Sequence, residues 1–238
     1  MEAELLAWYE RTKRDLPWRK TRDPYAILVS EVMLQQTQVE RVVPRYLAWL
    51  DRWPTAEALA ASTPGDVIRA WQGLGYNRRA IALYNAAKAI AATGWPEDLT
   101  TLPGVGPYTA AAVRNFALGE DILPIDVNVM RVRERTGCDF SPASAQALMD
   151  LGATVCLARV PRCDACPLAA GCPSRGQRHG PKPKQGRFEG SFRQRRATLL
   201  RLVADSPRDA ASLETNVVES LLRDGLVARD GQLVTLPR

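Results

Sequence analysis

The feature that most constrains the fold is a glycine turn followed by a helix, LPGVGP at residues 102–107. Glycine has no Cβ, so Gly104 and Gly106 are predicted to take the positive φ angles of a tight hairpin. Pro107 suits the first position of a helix that continues to about Leu118. Free amides and the positive end of the helix dipole meet at such a turn. The sequence therefore predicts a backbone clamp for a phosphate oxygen of a nucleic acid.

Composition describes an ordinary globular chain with a basic segment. The 238 residues are 46% hydrophobic, enough to fill the core of one large domain or two small ones. No apolar run approaches about 18 residues and the N-terminus is charged, so we expect no membrane span, no signal peptide and a cytoplasmic, nucleoid-associated location. The net charge of +6 is concentrated in residues 173–201. Such a segment favours a polyanionic partner, with a solvated linker as the alternative.

Four of the five cysteines lie in one window with the spacing C-x6-C-x2-C-x5-C, namely Cys156, Cys163, Cys166 and Cys172. In a cytosolic chain this pattern favours a metal site over disulfides. Four thiolates can hold zinc or an iron–sulfur cluster, and spacing alone does not choose between them. The fifth cysteine, Cys138, is predicted to be a buried small side chain. The single histidine, His179, lies in a segment rich in proline and glycine, which argues against histidine catalysis.

Helical periodicity dominates the chain up to the cysteine window. A first amphipathic helix is predicted to begin near Leu5 and to end near Pro17, and a second to run from Pro24 through the segment AILVSEVMLQQTQ. Further helices are predicted over 39–53, 77–92, 107–118, 126–135 and 144–156, with short helices around 55–71. Residues 174–190 are predicted to form a basic linker. The tail over 191–238 predicts a helix, a second helical region over 211–223, and a β-hairpin that turns at Asp230-Gly231. The predicted fold class is all-α, with a small α+β tail similar to a winged helix.

Glu31 stands in an otherwise apolar part of the second helix, ILVSEVML. A charged carboxylate is expensive to bury, so this side chain is expected to be protonated, paired or directed into a cleft. Periodicity alone supports equally well a glutamate on the solvent face of an amphipathic helix.

Several stretches together resemble the endonuclease III and MutY superfamily of DNA glycosylases. LPGVGPYTA is similar to its helix-hairpin-helix, SEVMLQQTQVE to the catalytic helix of MutY-type adenine glycosylases, and GLGY to the loop that those enzymes press into DNA. The resemblance covers about residues 1–175. It implies two lobes with a cleft between them, within a glycosylase domain over 1–173 that carries a [4Fe-4S] cluster loop at 156–172.

The resemblance also implies an activity and its residues. The chain is expected to be a monofunctional DNA glycosylase that removes adenine mispaired with 8-oxoguanine or guanine in double-stranded DNA. Glu31 matches the general acid that protonates the leaving base, and burial is expected to raise the pKa of its carboxyl group. Asp126 matches the carboxylate that stabilises the oxocarbenium charge on the sugar. Tyr108 and Asn128 match residues that flank this aspartate. Bifunctional relatives carry a lysine at position 108, so efficient strand cutting is not expected.

The remaining roles that the resemblance implies concern DNA binding and the cofactor. Gln36 and Tyr76 match the side chains inserted into the base stack. The pocket for adenine matches Leu16, Trp18 and Arg19. The phosphate clamp matches Leu102, Gly104, Val105 and Gly106, with a monovalent cation on its carbonyl oxygens. The four clustered cysteines would hold the [4Fe-4S] cluster. A monomer is the default oligomeric state, with no membrane contact.

The chain departs from the family pattern in three ways. The region 127–155 is short by one helix, Val127 replaces the usual glycine after the aspartate, and no Nudix-like domain fits in the tail. These departures keep open a glycosylase that removes thymine or uracil opposite guanine. A non-catalytic DNA-binding protein, in which the winged-helix tail does the work, is a further alternative.

Overall fold

The computed structural model describes residues 1–178, 180 and 186–238. His179 and part of the predicted linker lie outside these residues. The helices are α1 (Glu2–Thr12), α2 (Pro24–Leu34), α3 (Val39–Arg52), α4 (Ala56–Ala60), α5 (Pro64–Ala70), α6 (Arg78–Thr93), α7 (Pro107–Phe116), α8 (Val127–Thr136), α9 (Ala145–Thr154), α10 (Phe192–Asp205) and α11 (Thr215–Arg223). The strands are β1 (Arg208–Asp209), β2 (Ala228–Asp230) and β3 (Leu233–Thr235). The predicted all-α body with a small α+β tail is confirmed.

The helices begin where the sequence supplies a cap. The Asp23 carboxylate accepts hydrogen bonds from the amides of Tyr25 and Ala26, at 3.1 and 3.3 Å, and Pro24 occupies the first helical position of α2. Thr55 and Thr63 cap α4 and α5 in the same way. None of the described helices combines the length and apolar character that crossing a membrane would require.

The chain divides into two compact units. The first unit comprises residues 1–27 and the described part of 107–184. Its core joins Leu5 of α1 to α8 and α9, where Val129, Val132, Leu148 and Leu151 are fully buried. In the described chain between Asp126 and Cys156, α8 and α9 are the α-helices. That the family carries one more helix in this region stays a prediction.

The second unit comprises residues 28–106 and the described part of 185–238. Trp49 stacks edge-on against Trp53 and Trp71, with ring centroids 4.8 and 5.6 Å apart. A separate apolar core joins Ile68 of α5 to side chains of α10, α11 and β3. Residues 191–238 therefore share a core with α5, and the boundary of a separate C-terminal module stays a prediction.

The tail has the element order of a winged helix. Its strands form one antiparallel sheet in the order β1-β3-β2, and Asp230 pairs with Leu233 across the hairpin. The hairpin is close to the predicted turn, whereas β1 was not predicted because a two-residue strand carries no alternation pattern. The second helix of the tail begins at Thr215 rather than Ala211, because a 3-10 turn over Ala210–Ser212 precedes it.

Candidate active site

Asp126 lies at the N-terminal end of α8, where its carboxylate closes the first turn of the helix. Oδ1 accepts hydrogen bonds from the backbone amides of Asn128 at 2.8 Å and Val129 at 2.7 Å. Oδ2 accepts one from the side-chain amide of Asn128 at 2.7 Å. Three N–H donors fix the orientation of the half-buried carboxylate and leave lone pairs for a reacting group. The structure thus brings together two of the predicted catalytic residues, Asp126 and Asn128.

Arg131, on the next turn of α8, fixes Asn128 in its turn. Its Nη2 donates to Asn128 Oδ1 at 2.7 Å and to the carbonyl oxygen of Gly152 at 2.6 Å. Its Nε donates to the carbonyl oxygen of Cys156 at 2.7 Å. Burial lowers the pKa of the Arg131 guanidinium. A continuous chain of hydrogen bonds therefore runs from the backbone of the first window cysteine to the carboxylate of Asp126.

Sequence reasoning missed Arg131 and Gly152. A Cβ on Gly152 would lie 2.5 Å from the Cβ of Asn128, so only glycine lets α9 pass α8 at this distance. The available signal was a glycine inside a predicted helix, which costs about 1 kcal/mol against alanine and marks a close approach. Arg131 gave no such signal, because an arginine on a helix usually faces solvent.

The four window cysteines line one cavity of the first unit. Arg135 Nη1 donates to Cys156 Sγ at 3.3 Å, and the amide of Gly176 donates to Cys163 Sγ at 3.3 Å. Burial raises the pKa of the Cys166 thiol, and the proximity of the other three thiols adds to the rise. Buried Arg135 also donates to the carbonyl oxygens of Leu157 and Ala158, at 2.7 and 2.9 Å, and so holds the loop in place.

This donor set fits an iron–sulfur cluster. All five cysteines are free thiols, and the four of the window share one cavity with N–H donors directed at two of the sulfur atoms. Thiolate ligands supported by hydrogen bonds to sulfur are typical of such clusters. Among the described residues, no group of three or more His, Cys, Asp or Glu side chains is arranged to hold a single metal ion. Cys138 lies apart and is half-buried beside the core of the first unit.

The residues predicted to form the adenine pocket follow α1. Leu16 and Trp18 are buried, with 7% and 8% of their surface exposed. Arg19 forms a bidentate ion pair with Asp150 of α9, in which Nη1 donates to Oδ2 at 2.8 Å and Nη2 donates to Oδ1 at 2.7 Å. Arg14 Nε adds a hydrogen bond to Asp150 Oδ1 at 2.7 Å. The guanidinium of Arg19 is thus held by Asp150, and its contact with a base stays a prediction.

The ion pair changes the acidity of Asp150, a residue that sequence reasoning did not single out. Burial alone would raise the pKa of this carboxyl group, of which 1% is exposed. Hydrogen bonds and positive charge from Arg19 and Arg14 outweigh burial and hold the pKa below its usual value. Asp150 is therefore ionised at neutral pH.

The predicted phosphate clamp is a tight turn in the second unit. The amide of Val105 donates to the carbonyl oxygen of Leu102 at 3.1 Å, and both side chains are buried. Gly104 has φ 78°, and a Cβ at this position would lie 2.7 Å from the Cβ of Ala82. Leu102 and Val105 therefore anchor the turn in the core, while glycine is required at 104.

The prediction of a positive φ at Gly106 is wrong, because the glycines with positive φ include Gly104 but not Gly106. Gly106 precedes Pro107, and the proline ring pushes the residue before it toward extended backbone. No atom lies within 4 Å of a Cβ built on Gly106, so its backbone is open to a ligand. Tyr108 follows in the first turn of α7 and is half-buried.

Glu31 is buried in α2, with 6% of its surface exposed. Its neighbours Ser30, Val32 and Met33 are equally inaccessible. The interpretation of Glu31 as a residue on the solvent face of an amphipathic helix is therefore wrong. The side chain is instead buried, which agrees with the expectation that it is not a solvent-facing carboxylate.

Gln36 and Tyr76, the predicted DNA-inserting pair, share an unusual backbone. Their φ angles are 56° and 47°, and they are the only residues other than glycine in the described chain with positive φ. Both side chains are exposed. A left-handed conformation at a residue with a Cβ is disfavoured and persists where its surroundings enforce it.

Comparison with known proteins assigns the family. Residues 29–149 match the family described as the HhH-GPD superfamily base excision DNA repair protein. The adenine DNA glycosylase of Mycolicibacterium smegmatis is 42% identical over 94% of this chain and 91% of its own length. The chain belongs to the HhH-GPD superfamily. The human adenine DNA glycosylase is 40% identical over 72% of this chain, which spans 38% of that longer protein.

Solved structures of two DNA-acting proteins share this fold. A thermostable thymine-DNA glycosylase, 27% identical, superposes with a TM-score of 0.65 over 72% of this chain and 93% of its own. Endonuclease III trapped as a covalent intermediate with DNA gives a TM-score of 0.62 at 22% identity, over 72% and 92% of the two chains. The superfamily match spans Glu31, the 102–106 turn and Asp126, and it ends before the cysteine window.

Proposed function

We propose that this protein is a monofunctional adenine DNA glycosylase of base excision repair, which acts as a monomer on adenine mispaired with 8-oxoguanine or guanine. The observation that carries the proposal is the 42% identity to the mycobacterial adenine DNA glycosylase, extending over 94% of the chain. The carboxylates needed for the chemistry, Glu31 and Asp126, both lie in the matched region. Position 108 is tyrosine, so the lysine that forms a Schiff base in strand-cutting relatives is absent there.

Cleavage of the N-glycosidic bond requires a proton for the leaving base. A purine anion is a poor leaving group, and a positioned general acid accelerates such a step by about 10² to 10⁴. Glu31 is proposed as this acid because its side chain is buried in α2, and burial in general makes the charged form of a carboxyl group costly. The proton would pass from the Glu31 carboxyl oxygen to a ring nitrogen of adenine as the bond to the sugar breaks.

The sugar then carries positive charge, which Asp126 is proposed to stabilise. Its carboxylate is oriented by the Asn128 side chain and by two backbone amides, so it needs little reorganisation during the reaction. Asn128 is in turn held by Arg131. Tyr108 is proposed to assist in orienting the carboxylate or the attacking water.

The target base must leave the duplex before this chemistry can occur. Unstacking costs a few kcal/mol, which contacts to the remaining DNA must offset. Exposed Gln36 and Tyr76 are proposed to fill the stack, while the accessible backbone at Gly106 holds a phosphate, aided by a monovalent cation on the turn carbonyls. Leu16, Trp18 and Arg19 are proposed to contact the extruded adenine.

Cys156, Cys163, Cys166 and Cys172 are proposed to hold a [4Fe-4S] cluster. The shared cavity and the N–H donors to Cys156 and Cys163 support this assignment. When bound, the cluster would fix the loop after α9 and so present the exposed Arg159 and Arg162 to the DNA backbone. No role is assigned to it in the proton transfer proposed for Glu31 or in the charge stabilisation proposed for Asp126.

The test is single-turnover base release from four duplexes, carrying adenine opposite 8-oxoguanine, adenine opposite guanine, thymine opposite guanine and uracil opposite guanine. We expect release of adenine, fastest opposite 8-oxoguanine. Release of thymine or uracil with adenine untouched would contradict the proposal and favour the alternative suggested by the similarity to a thymine-DNA glycosylase. Binding to all four without release would favour a non-catalytic DNA-binding protein.

A further inference from the structure

Arg79 joins two segments that carry the DNA-inserting residues. It lies in the first turn of α6, three positions after Tyr76, and its guanidinium reaches the end of α2. Nη1 donates to the carbonyl oxygens of Val32 (2.8 Å), Met33 (3.0 Å) and Gln35 (2.6 Å). Nη2 donates to Thr37 Oγ1 (3.1 Å) and to the carbonyl oxygens of Leu74 (3.2 Å) and Gly75 (3.0 Å). Nε donates to the carbonyl oxygen of Tyr76 at 3.4 Å.

The acceptors of Arg79 in the described chain are uncharged oxygens. Val32 and Met33 belong to the last turn of α2, where carbonyl groups lack helical partners and the helix dipole is negative. Burial lowers the pKa of the Arg79 guanidinium to about 10, so the group remains charged at neutral pH. A planar cation with five N–H donors can satisfy these carbonyls and the 73–76 loop at once, which an ammonium group cannot.

The hydrogen bonds of Arg79 fall on either side of the two strained residues. Gln35 O belongs to the peptide group before Gln36, and Gly75 O belongs to the peptide group before Tyr76. The φ angle of a residue measures its rotation relative to the peptide group before it. The two hydrogen bonds therefore hold the peptide groups from which the φ angles of Gln36 (56°) and Tyr76 (47°) are measured. The guanidinium also stacks over the Tyr76 ring, with Cζ 5.6 Å from the ring centroid. One side chain therefore determines the backbone direction at both exposed residues.

We propose that Arg79 is a positioning residue for base extrusion, because its guanidinium locks the end of α2 to the 73–76 loop and so sets Gln36 and Tyr76 for joint insertion into the duplex. The inference rests on the proposed function, since it assumes that these two side chains enter DNA. Arg79 is not assigned a contact with substrate.

Arg79→Lys and Arg78→Lys form a matched pair that tests the proposal. Arg78 is the preceding residue, but its side chain is 78% exposed and its ion pair with Asp224 is 3.7 Å long. Both variants keep the charge, whereas only Arg79→Lys loses the planar set of donors. We expect the single-turnover rate of Arg79→Lys to fall by about 10- to 100-fold, a loss typical of misplaced groups, with affinity for undamaged duplex unchanged. Arg78→Lys should match the wild type.

Repeating the Arg79→Lys substitution in a second variant distinguishes a positioning role of Arg79 from a general role in stability. In a chain carrying Gln36→Ala and Tyr76→Ala, the side chains that Arg79 positions are gone, so Arg79→Lys should cause no further loss of rate. A purely structural role for Arg79 would instead cause the same loss in both backgrounds. That result, or a wild-type rate in Arg79→Lys alone, overturns the proposal.

A fluorescence measurement keeps the test independent of catalysis. In a duplex with 2-aminopurine beside the mismatched adenine, extrusion unstacks the probe and raises its emission. We expect the wild type and Arg78→Lys to give this rise, and Arg79→Lys to lose it as fully as the Gln36→Ala/Tyr76→Ala chain does. A rise without base release in the wild type would contradict the proposed function alone. No rise in the wild type, or a full rise in Arg79→Lys, contradicts the role of Arg79.

Discussion

At the scale of single residues, Asp126 has two tasks that a substitution can separate. Its carboxylate caps α8, and it supplies negative charge for the proposed reaction. Asparagine caps helices about as well as aspartate but carries no charge. The same side chain can therefore be tested for chemistry without losing the helix that presents it.

We predict that Asp126→Asn lowers the single-turnover rate of base release by more than about 10²-fold, because charge stabilisation of the transition state is lost. Thermal unfolding and duplex affinity should stay close to wild type. Asp126→Ala is the control, since it removes the cap as well and should also lower the free energy of unfolding by about 1 kcal/mol. Wild-type base release by Asp126→Asn would show that Asp126 is only a helix cap.

Residue types and motifs singled out the residues that are proposed to act through their own chemistry. Asp126 stands out through the resemblance to the glycosylase family, and the four window cysteines stand out because they are clustered within 17 residues. Residues that fix other candidate site residues in place, such as Asp150 and Arg79, do not stand out in the sequence. Asp150 meets Arg19 across 131 positions, and Arg79 meets Val32 across 47, so these contacts exist only once the helices have packed. The sequence near each residue carries no signal for contacts across such distances along the chain.

At the scale of elements, Asp150 fastens the segment after α1 to α9. It accepts bonds from the Arg14 and Arg19 side chains and from the Arg14 amide. Removing one partner of a buried ion pair leaves the other charges uncompensated, which typically costs about 3 to 5 kcal/mol. The turn that carries Leu16 and Trp18 thus depends on one carboxylate.

Asp150→Asn should lower the free energy of unfolding at neutral pH by about 3 to 5 kcal/mol. The folded pKa of Asp150 lies below its usual value, so its stabilisation is present above the usual value and is lost as pH falls through the folded pKa. The difference between variant and wild type should therefore shrink in acid. Urea unfolding at several pH values measures this. Asp15→Asn, in an exposed pair with Lys20, is the control and should change little; an equal loss there would contradict the assignment.

The 102–106 turn offers two glycines with opposite requirements. Gly104→Ala should lower the free energy of unfolding by about 1 to 3 kcal/mol, because the new Cβ meets Ala82 and the positive φ is strained.

Gly106→Ala should leave the free energy of unfolding unchanged or slightly higher, since the surroundings of Gly106 are open. Its methyl group should instead weaken duplex binding where a phosphate approaches the backbone. Unfolding and binding curves of both variants decide this, and normal duplex binding by Gly106→Ala would argue against the clamp.

At the scale of the whole molecule, residues 191–238 share an apolar core with α5 of the second unit. Ile68 of α5 is buried among Leu199, Val217 and Val234. The sequence predicted the two helices and the β-hairpin of the tail from their periodicity and turn residues, but it did not predict β1 or this docking. The pattern of a helix face shows that it is buried, and not which distant segment covers it.

The sharpest test of this docking is a substitution whose effect on the free energy of unfolding should have opposite signs with and without the end of the tail. Gly65 lies in the first turn of α5, and replacing glycine by alanine at a backbone that alanine can adopt normally stabilises a protein by about 0.4 to 1 kcal/mol, because the unfolded chain loses entropy. In the full chain, however, a Cβ on Gly65 would lie 2.7 Å from the carbonyl oxygen of Pro237 and 3.2 Å from the Cβ of Leu236. We predict that Gly65→Ala destabilises the full chain and stabilises a chain that ends at Thr235, as measured by urea unfolding. The shortened chain with glycine at 65 is the reference for the second comparison. Stabilisation in both chains would mean that the tail does not rest on α5 in solution.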